Sequence, residues 1–260
     1  MDVSVLSPLE PAADPLRDVA RILAGCMPGL TLEQRLREAR SLVPGRLVLT
    51  TSFGLEDQAL THALASEDLD IDLVTLDTGR LFPETYAVWA ETERRYGLRV
   101  RAFAPERRDL ERLVAEDGID GFRNAVEARL RCCGIRKVEP LARALAGAAG
   151  WITGLRADQS THRAAAPFAE ADAVRRLVKI NPLSDLSREA VRDYVRANEV
   201  PYNPLHDVGF LSIGCAPCTR AVRPGEPERA GRWWWEEEGK KECGLHLRPV
   251  PAAPAAREMA

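Results

Sequence analysis

Short strand-like stretches alternate with helix-like stretches along residues 46–200, and this alternation limits the chain to a small number of folds. "RLVLTTS" (46–52), "IDLVTLDTG" (71–79) and "LRVRAFAP" (98–105) are apolar, and "GWITGLR" and "LVKINPL" repeat the pattern further along the chain. Helical periodicity follows most of them, for example in "LEDQALTHALAS" and in the segment that Pro83 opens. We therefore predict an α/β fold, with a mostly parallel sheet flanked by helices.

Polar turns follow the first two of these strands. "TTSFGLED" (50–57) supplies Thr51, Ser52 and Gly54 where a helix begins, and hydroxyls and backbone N–H groups there can bind phosphate or sulfate. The turn lacks the lysine of a Walker A loop and is not a G-x-G-x-x-G fingerprint, so by itself it is equally compatible with an ordinary N-cap turn. "LDTGRLFPET" follows the next strand and adds three polar side chains, those of Asp77, Thr78 and Arg80. Because open α/β sheets bind ligands at the carboxyl ends of their strands, the two turns together predict a nucleotide pocket.

Four cysteines form two close pairs, Cys132 with Cys133 in "RCCGIRK" and Cys215 with Cys218 in "IGCAPC". Two thiolate pairs suit a tetrahedral zinc or an iron–sulfur cluster. Adjacent side chains diverge from their Cα atoms, which hinders binding of one ion, whereas a cubane offers a separate iron to each thiolate. We therefore expect one 4Fe–4S cluster ahead of zinc, and four unrelated buried thiols as the remaining alternative. Cys26 has no partner in the sequence and is interpreted as inert.

Basic residues in two stretches, "TGLRADQSTHR" (153–163) and "ERAGRWWWE" (228–236), are candidates for binding anionic oxygens: Arg156, His162, Arg163, Arg229 and Arg232. Taken singly, each arginine is also compatible with an exposed surface position. Lys137 lies four residues after Cys133, so in a helix it would share that cysteine's face and could approach an anionic cluster. The run Trp233–Trp235 is compatible with a core, a docking surface or a lid.

Cys243 is left over once the two cysteine pairs are assigned, and it lies in "KKECGLHLRPV" (240–250) close to His246. Lys240 and Lys241 favour its thiolate, which is the nucleophilic form. The alternative is an incidental surface cysteine on a tail.

Composition excludes several classes of function. A net charge of −3 does not support a broad nucleic-acid interface, and no apolar run reaches the length of a membrane span. The first residues, "MDVSVLSPLEPAADPLRDVA", lack the basic start and apolar stretch of a signal peptide. We expect a cytoplasmic protein, in which cysteines act as ligands or catalysts instead of forming disulfides.

Six motifs in residues 45–247 together resemble the assimilatory adenylyl-sulfate reductases, the iron–sulfur branch of the adenylyl-sulfate/phosphoadenylyl-sulfate reductase family. They are "TSFGLED", "LDTGRLFPET", "CCGIRKVEPL", "TGLRADQS", "IGCAPCTR" and "KECGLH". The resemblance implies an adenine-nucleotide α-hydrolase-like (PP-loop) fold. It also implies residue roles: cluster ligands at Cys132, Cys133, Cys215 and Cys218, a cluster-proximal Lys137, sulfate and phosphate binding by Arg163, Arg229, Arg232 and His246, and a catalytic Cys243. Gly154, in the "TGLR" turn, is counted with the substrate-binding residues, whereas Phe53 stands where many relatives have a serine, so one hydroxyl contact is absent.

The activity that the resemblance implies is reduction of adenylyl sulfate to sulfite and AMP, in sulfate assimilation and cysteine biosynthesis. Cys243 would attack the sulfur to form an S-sulfocysteine, from which thioredoxin or a similar dithiol would release sulfite. Relatives are often homo-oligomeric. The alternatives are a phosphoadenylyl-sulfate or dual-substrate reductase, a PP-loop ATP pyrophosphatase such as a tRNA-thiolating ligase, and a non-catalytic iron–sulfur sensor.

The motifs divide the chain into four predicted segments: an N-terminal helical segment (1–40), a nucleotide-binding α/β domain (41–200), a loop-rich segment for cluster binding and catalysis (201–248), and a disordered tail (249–260). Because Cys243 must meet a nucleotide and then a reductant, we expect its segment to move between two positions, with Gly244 in the hinge.

Overall fold

A six-stranded, mostly parallel sheet forms the centre of the computed structural model, which describes residues 14–160, 163–164, 166–237 and 244–245. The strands are β1 (Leu47–Thr51), β2 (Asp72–Leu76), β3 (Arg101–Phe103), β4 (Gly150–Ile152), β5 (Ala169–Asp172) and β6 (Leu177–Ile180). Their order is β3-β2-β1-β4-β6-β5, and every neighbouring pair is parallel except β5 with β6. The predicted α/β class is confirmed.

The helices are α1 (Pro15–Cys26), α2 (Leu32–Leu42), α3 (Leu55–Ser66), α4 (Pro83–Tyr96), α5 (Arg107–Asp117), α6 (Val126–Cys133), α7 (Glu139–Ala144) and α8 (Arg188–Ala197). Local sequence accounts for several of their ends. Pro83 is the first residue of α4, as predicted, because a first-turn N–H has no intrahelical partner to lose. The backbone N–H of Ala190 donates to Ser187 Oγ at 3.1 Å, so Ser187 caps the N-terminus of α8.

Two apolar cores cover the two faces of the sheet. Side chains alternate along β1, so that Leu47 and Leu49 enter one core while Val48 enters the other. The first core includes Leu23 of α1 and Leu36 of α2, so these N-terminal helices pack directly on the sheet. The second core is covered by α7.

The segment after α8 contains only short 3₁₀ turns and one isolated bridge within the described residues, as the loss of periodicity beyond Pro201 predicts. Strand β5 is the element that the sequence prediction lacks. Its sequence "AEAD" has no β-branched residue, and it is a strand only because it pairs antiparallel with the buried β6. In the described part of the chain, every helix is too short or too polar to cross a membrane.

Candidate active site

A cavity opens at the carboxyl ends of β1, β2 and β4, and we call it the strand-end cavity. The chain leaves β1 toward β2 on one side and returns to β4 on the other, so this is a topological switch point of the sheet. The turn after β1 contributes Thr51, Ser52 and Gly54, the turn after β2 contributes Thr78, and the turn after β4 contributes Gly154. These five predicted site residues therefore come together.

The turn after β1 is held in an unusual backbone conformation. Phe53 has a φ of 60°, and its backbone N–H donates to Thr51 Oγ1 at 3.0 Å. Its ring is buried in the first core and stacks on Trp89 with 5.5 Å between centroids, away from the cavity. Packing energy thus stabilises a φ that a bulky residue seldom adopts.

A carboxylate that the sequence analysis did not single out lies beneath this turn. Asp57 Oδ2 accepts hydrogen bonds from the backbone N–H and the hydroxyl of Ser52, at 2.6 and 2.7 Å. Burial raises the pKa of Asp57 to about 6, and the hydrogen bonds from Ser52 only partly oppose this. Gly154 closes over the same group, because a Cβ there would lie 2.3 Å from Asp57 Oδ1.

Arg156, predicted as an anion-binding candidate or a surface residue, is neither. Its side chain is fully buried and donates to Glu56 at 2.9 Å and to Glu228 at 2.7 Å, and it also bonds to Asp158. Since these carboxylates pair with its guanidinium, Arg156 belongs to a buried ion-pair network that joins the first turn of α3 to the turn after β4 and to the segment that carries Glu228.

The four paired cysteines line a second, smaller space, which we call the cysteine cavity. Cys133, Cys215 and Cys218 are buried, Cys132 is half-buried, and none of the four is part of a disulfide. Among the described residues, no three His, Cys, Asp or Glu side chains form a group that could hold one metal ion. All four thiols line this one space, and a set of four thiolate donors suits an iron–sulfur cluster.

Lys137 connects the two cavities, because it lines both. It lies in a π-helical turn, Gly134–Val138, that directly follows Cys133, and both residues line the cysteine cavity. Burial would raise the pKa of Cys215, but the positive charge of Lys137 and a 3.3 Å contact with Thr78 Oγ1 lower it overall. The surroundings of Cys215 therefore favour its thiolate form.

The consecutive tryptophans Trp233 and Trp234 lie in different environments. Trp233 is buried, lines both cavities, and lies under two guanidinium groups, those of Arg129 at 4.8 Å and Arg232 at 4.7 Å. Trp234 is 37% exposed. The buried ion pair between Arg129 and Glu236, at 2.7 Å, fastens this segment to α6.

The remaining predicted residues divide into three groups. Arg163, Arg229 and Arg232 line the strand-end cavity. Arg80 lines the cysteine cavity instead, with its guanidinium 5.1 Å from the Phe122 ring centroid, and Asp77 accepts from Tyr86 Oη at 2.7 Å outside both linings. The predicted residues that lie outside the described residues are His162, Lys240, Lys241, Cys243 and His246.

Two residues next to Cys243 in the chain are described. Leu245 lines the strand-end cavity, and its carbonyl accepts from Arg175 at 3.4 Å. Gly244 has a φ of 85°, a conformation that favours glycine, whereas its role as a hinge stays a prediction.

Several cavity residues were missed by sequence reasoning: Glu56, Asp57, Gln159, His206 and Glu228. Glu56 and Asp57 are in the quoted motif "TTSFGLED", so their place after a strand was an available signal. His206 and Glu228 come from the loop-rich segment, where periodicity carries no information.

Known proteins match this chain over most of its length. Residues 46–221 match the phosphoadenosine phosphosulfate reductase domain. The chain is 55% identical over 228 residues to the adenosine 5′-phosphosulfate reductase of Sinorhizobium fredii (strain NGR234), covering 88% of this chain and 90% of that protein. It is 50% identical over 226 residues to the protein of the same name from Allochromatium vinosum, covering 86% of each.

Solved structures show the same fold. The phosphoadenylyl-sulfate reductase of Candida auris, in a phosphate complex, aligns with a TM-score of 0.67 at 28% identity and covers 78% of this chain and 96% of that one. A Candida glabrata FMN adenylyltransferase aligns with a TM-score of 0.51 at 14% identity, over 95% of this chain and 83% of that one, and is similar in fold alone. The predicted PP-loop type of fold is confirmed.

Proposed function

This chain belongs to the adenosine 5′-phosphosulfate reductase family, whose members are oxidoreductases that act on sulfur, and we propose that it reduces adenylyl sulfate to sulfite and AMP in sulfate assimilation. One observation carries the proposal: Lys137, Arg232 and Trp233 line both cavities, so part of the wall of the strand-end cavity is also wall of the cysteine cavity. Such a wall suits a ligand whose anionic end approaches the cysteines.

The charge distribution supports binding of a phosphosulfate. Arg163, Arg229 and Arg232 contribute guanidinium groups to the strand-end cavity, and these groups can bind sulfate and phosphate oxygens bidentately. The turn after β1 adds the Thr51 hydroxyl at the N-terminus of α3, where the helix dipole favours an anion, whereas the Ser52 hydroxyl donates to Asp57.

We further propose that Cys132, Cys133, Cys215 and Cys218 hold one 4Fe–4S cluster. Four cysteine thiols line one space, with Lys137, Arg80 and Arg136 among the other lining residues. Together they provide both the ligands and the positive charge that an anionic cluster needs. When bound, the cluster supplies structure and electrostatic stabilisation beside the substrate. A cytoplasmic location, where thiols stay reduced, is part of the same proposal.

The reaction steps rest on Cys243. Its thiolate attacks the sulfur of adenylyl sulfate, an S–S bond forms, the S–O bond to the phosphate breaks, and AMP leaves with the bonding electrons. Arginines around the phosphosulfate offset the negative charge that meets the incoming thiolate. One thiol of reduced thioredoxin or a similar dithiol then attacks Cys243 Sγ and releases sulfite. Its second thiol resolves the mixed disulfide, so the dithiol supplies the two electrons that reduce the sulfur.

Turnover of the two candidate nucleotides tests the substrate. We expect sulfite release from adenylyl sulfate, with a higher kcat/KM than from its 3′-phosphorylated form, and a strong preference for the latter would contradict the proposal. The Cys133→Ser variant tests the cluster: it should lose the brown iron–sulfur absorbance, which a Cys26→Ser control should retain because Cys26 lies in α1. A colourless, iron-free wild type that reduces adenylyl sulfate would refute the cluster.

A further inference from the structure

His206 lines the strand-end cavity and has no part in the chemistry described above. It lies in a 3₁₀ turn, Pro204–Val208, and is only 8% exposed. A buried histidine on the wall of a ligand cavity either satisfies its own polar atoms within the protein or presents one of them to the ligand.

The turn that carries His206 is fixed by its neighbours. Asn203 caps it, with Oδ1 accepting from the backbone N–H of Leu205 at 3.0 Å. The amide Nδ2 of Asn203 donates to Thr85 Oγ1 at 3.1 Å, and Thr85 is itself a buried residue of the cavity wall. Because these bonds join the turn to α4, the imidazole is held in place before any ligand arrives.

The hydrogen bond of Nδ1 of His206 determines whether Nε2, the other ring nitrogen, is protonated. His206 Nδ1 lies 2.8 Å from the carbonyl oxygen of Phe210, and since a carbonyl can only accept, Nδ1 carries the proton. Burial lowers the pKa of His206, which favours the neutral ring. Nε2 then bears a lone pair, and this buried atom has no hydrogen-bond partner among the described residues.

We propose that Nε2 of His206 accepts a hydrogen bond from an uncharged donor on the nucleoside half of the ligand, either the exocyclic amine of adenine or a ribose hydroxyl. The inference rests on the proposed adenine-nucleotide substrate and adds a specificity-determining residue to its site. A lone pair repels sulfate and phosphate oxygens, which the proposed function assigns to the guanidinium groups of Arg163, Arg229 and Arg232. Among the groups of adenylyl sulfate, the N–H and O–H donors are on the nucleoside alone, so they are what this acceptor can recognise.

Two substitutions separate the two ring nitrogens. In His206→Asn the amide reaches about as far as Nδ1, so it can keep the bond to the Phe210 carbonyl while removing the acceptor for the ligand. In His206→Gln the amide reaches about as far as Nε2 and keeps an acceptor there. Val208→Ser changes a residue of the same turn that is 64% exposed, and serves as the control.

The assay is calorimetric binding of AMP to the full chain with its metal content matched between variants, together with the melting temperature of each variant. We expect His206→Asn to bind AMP about tenfold more weakly, the size of one buried neutral hydrogen bond. The affinity of His206→Gln for AMP should remain within about threefold of the wild-type affinity, which is a smaller loss than that of one full hydrogen bond. Val208→Ser should bind AMP as the wild type does.

Three analogues identify the donor: purine riboside 5′-monophosphate, which lacks the amine, and the 2′-deoxy and 3′-deoxy forms of AMP. The analogue that lacks the donor should bind the wild type about tenfold more weakly and lose nothing further on His206→Asn. Unchanged AMP binding by His206→Asn would overturn the inference, and so would a wild type that does not bind AMP. The inference would also be overturned if the substitution His206→Asn weakened the binding of all three analogues by the same factor as it weakens the binding of AMP. The proposed reaction fails separately, if the wild type binds AMP but releases no sulfite from adenylyl sulfate.

Discussion

Substitution of Asp57 by Asn should change how the stability of the protein depends on pH. Burial raises the pKa of this carboxyl from its ordinary value of 3.8 to about 6. Between these values the folded state binds more protons than the unfolded state, so the wild type loses stability as the pH rises from about 4 to about 6. A shift of this size corresponds to about 3 kcal/mol in total, of which about 1 kcal/mol is lost between about pH 5 and about pH 7.5.

The Asp57→Asn variant has no carboxyl to ionise at this position and keeps an oxygen that can accept from Ser52. Its free energy of unfolding relative to the wild type should therefore rise by about 1 kcal/mol from about pH 5 to about pH 7.5. Urea titrations at several pH values measure this difference, with Asp68→Asn, an exposed residue after α3, as the control. A difference that is the same at every pH, or that matches the control, would refute the assignment of a buried, desolvated carboxyl under the β1–α3 turn.

Two further substitutions test the packing around the strand-end cavity. Gly154→Ala should displace Asp57, because the new Cβ would lie 2.3 Å from its carboxyl, and should lower the free energy of unfolding by about 1–3 kcal/mol and weaken AMP binding. The control Gly25→Ala has open space around it and should not lower the free energy of unfolding. Arg156→Met should cost about 3–5 kcal/mol in urea unfolding by leaving buried carboxylates unpaired, whereas Arg107→Met, in an exposed ion pair, should cost less than about 1 kcal/mol. Equal losses for either matched pair would contradict the account.

The fold was predictable because its signals are local. Apolar strands and amphipathic helices can each be recognised from the pattern of a few neighbouring residues. Pro83 and Ser187 mark the starts of helices through local chemistry that does not depend on the rest of the chain. Strand β5 was not predictable in this way, since its conformation depends on pairing with β6 and not on its own residues.

The site was partly predictable for a related reason. Turns that follow parallel strands must meet at one sheet edge, so Thr51 and Thr78 were expected together, and both line one cavity with Gly154, which the family resemblance had added. Arg156 was misinterpreted because its partner Glu228 is 72 residues away, and sequence spacing does not reveal which arginine is neutralised by such a contact. His206 was missed because an isolated histidine in a loop carries no periodic signal.

The most direct test of the central claim is the mass of the protein after anaerobic incubation with adenylyl sulfate in the absence of any dithiol. We expect the protein to gain one SO₃ group per chain, located on Cys243 by peptide mapping, and to release one AMP. Cys243→Ser should show no gain, and added reduced thioredoxin should remove the group from the wild type as sulfite. An unmodified wild type with its metal content intact, or an adduct that persists in Cys243→Ser, would contradict the account.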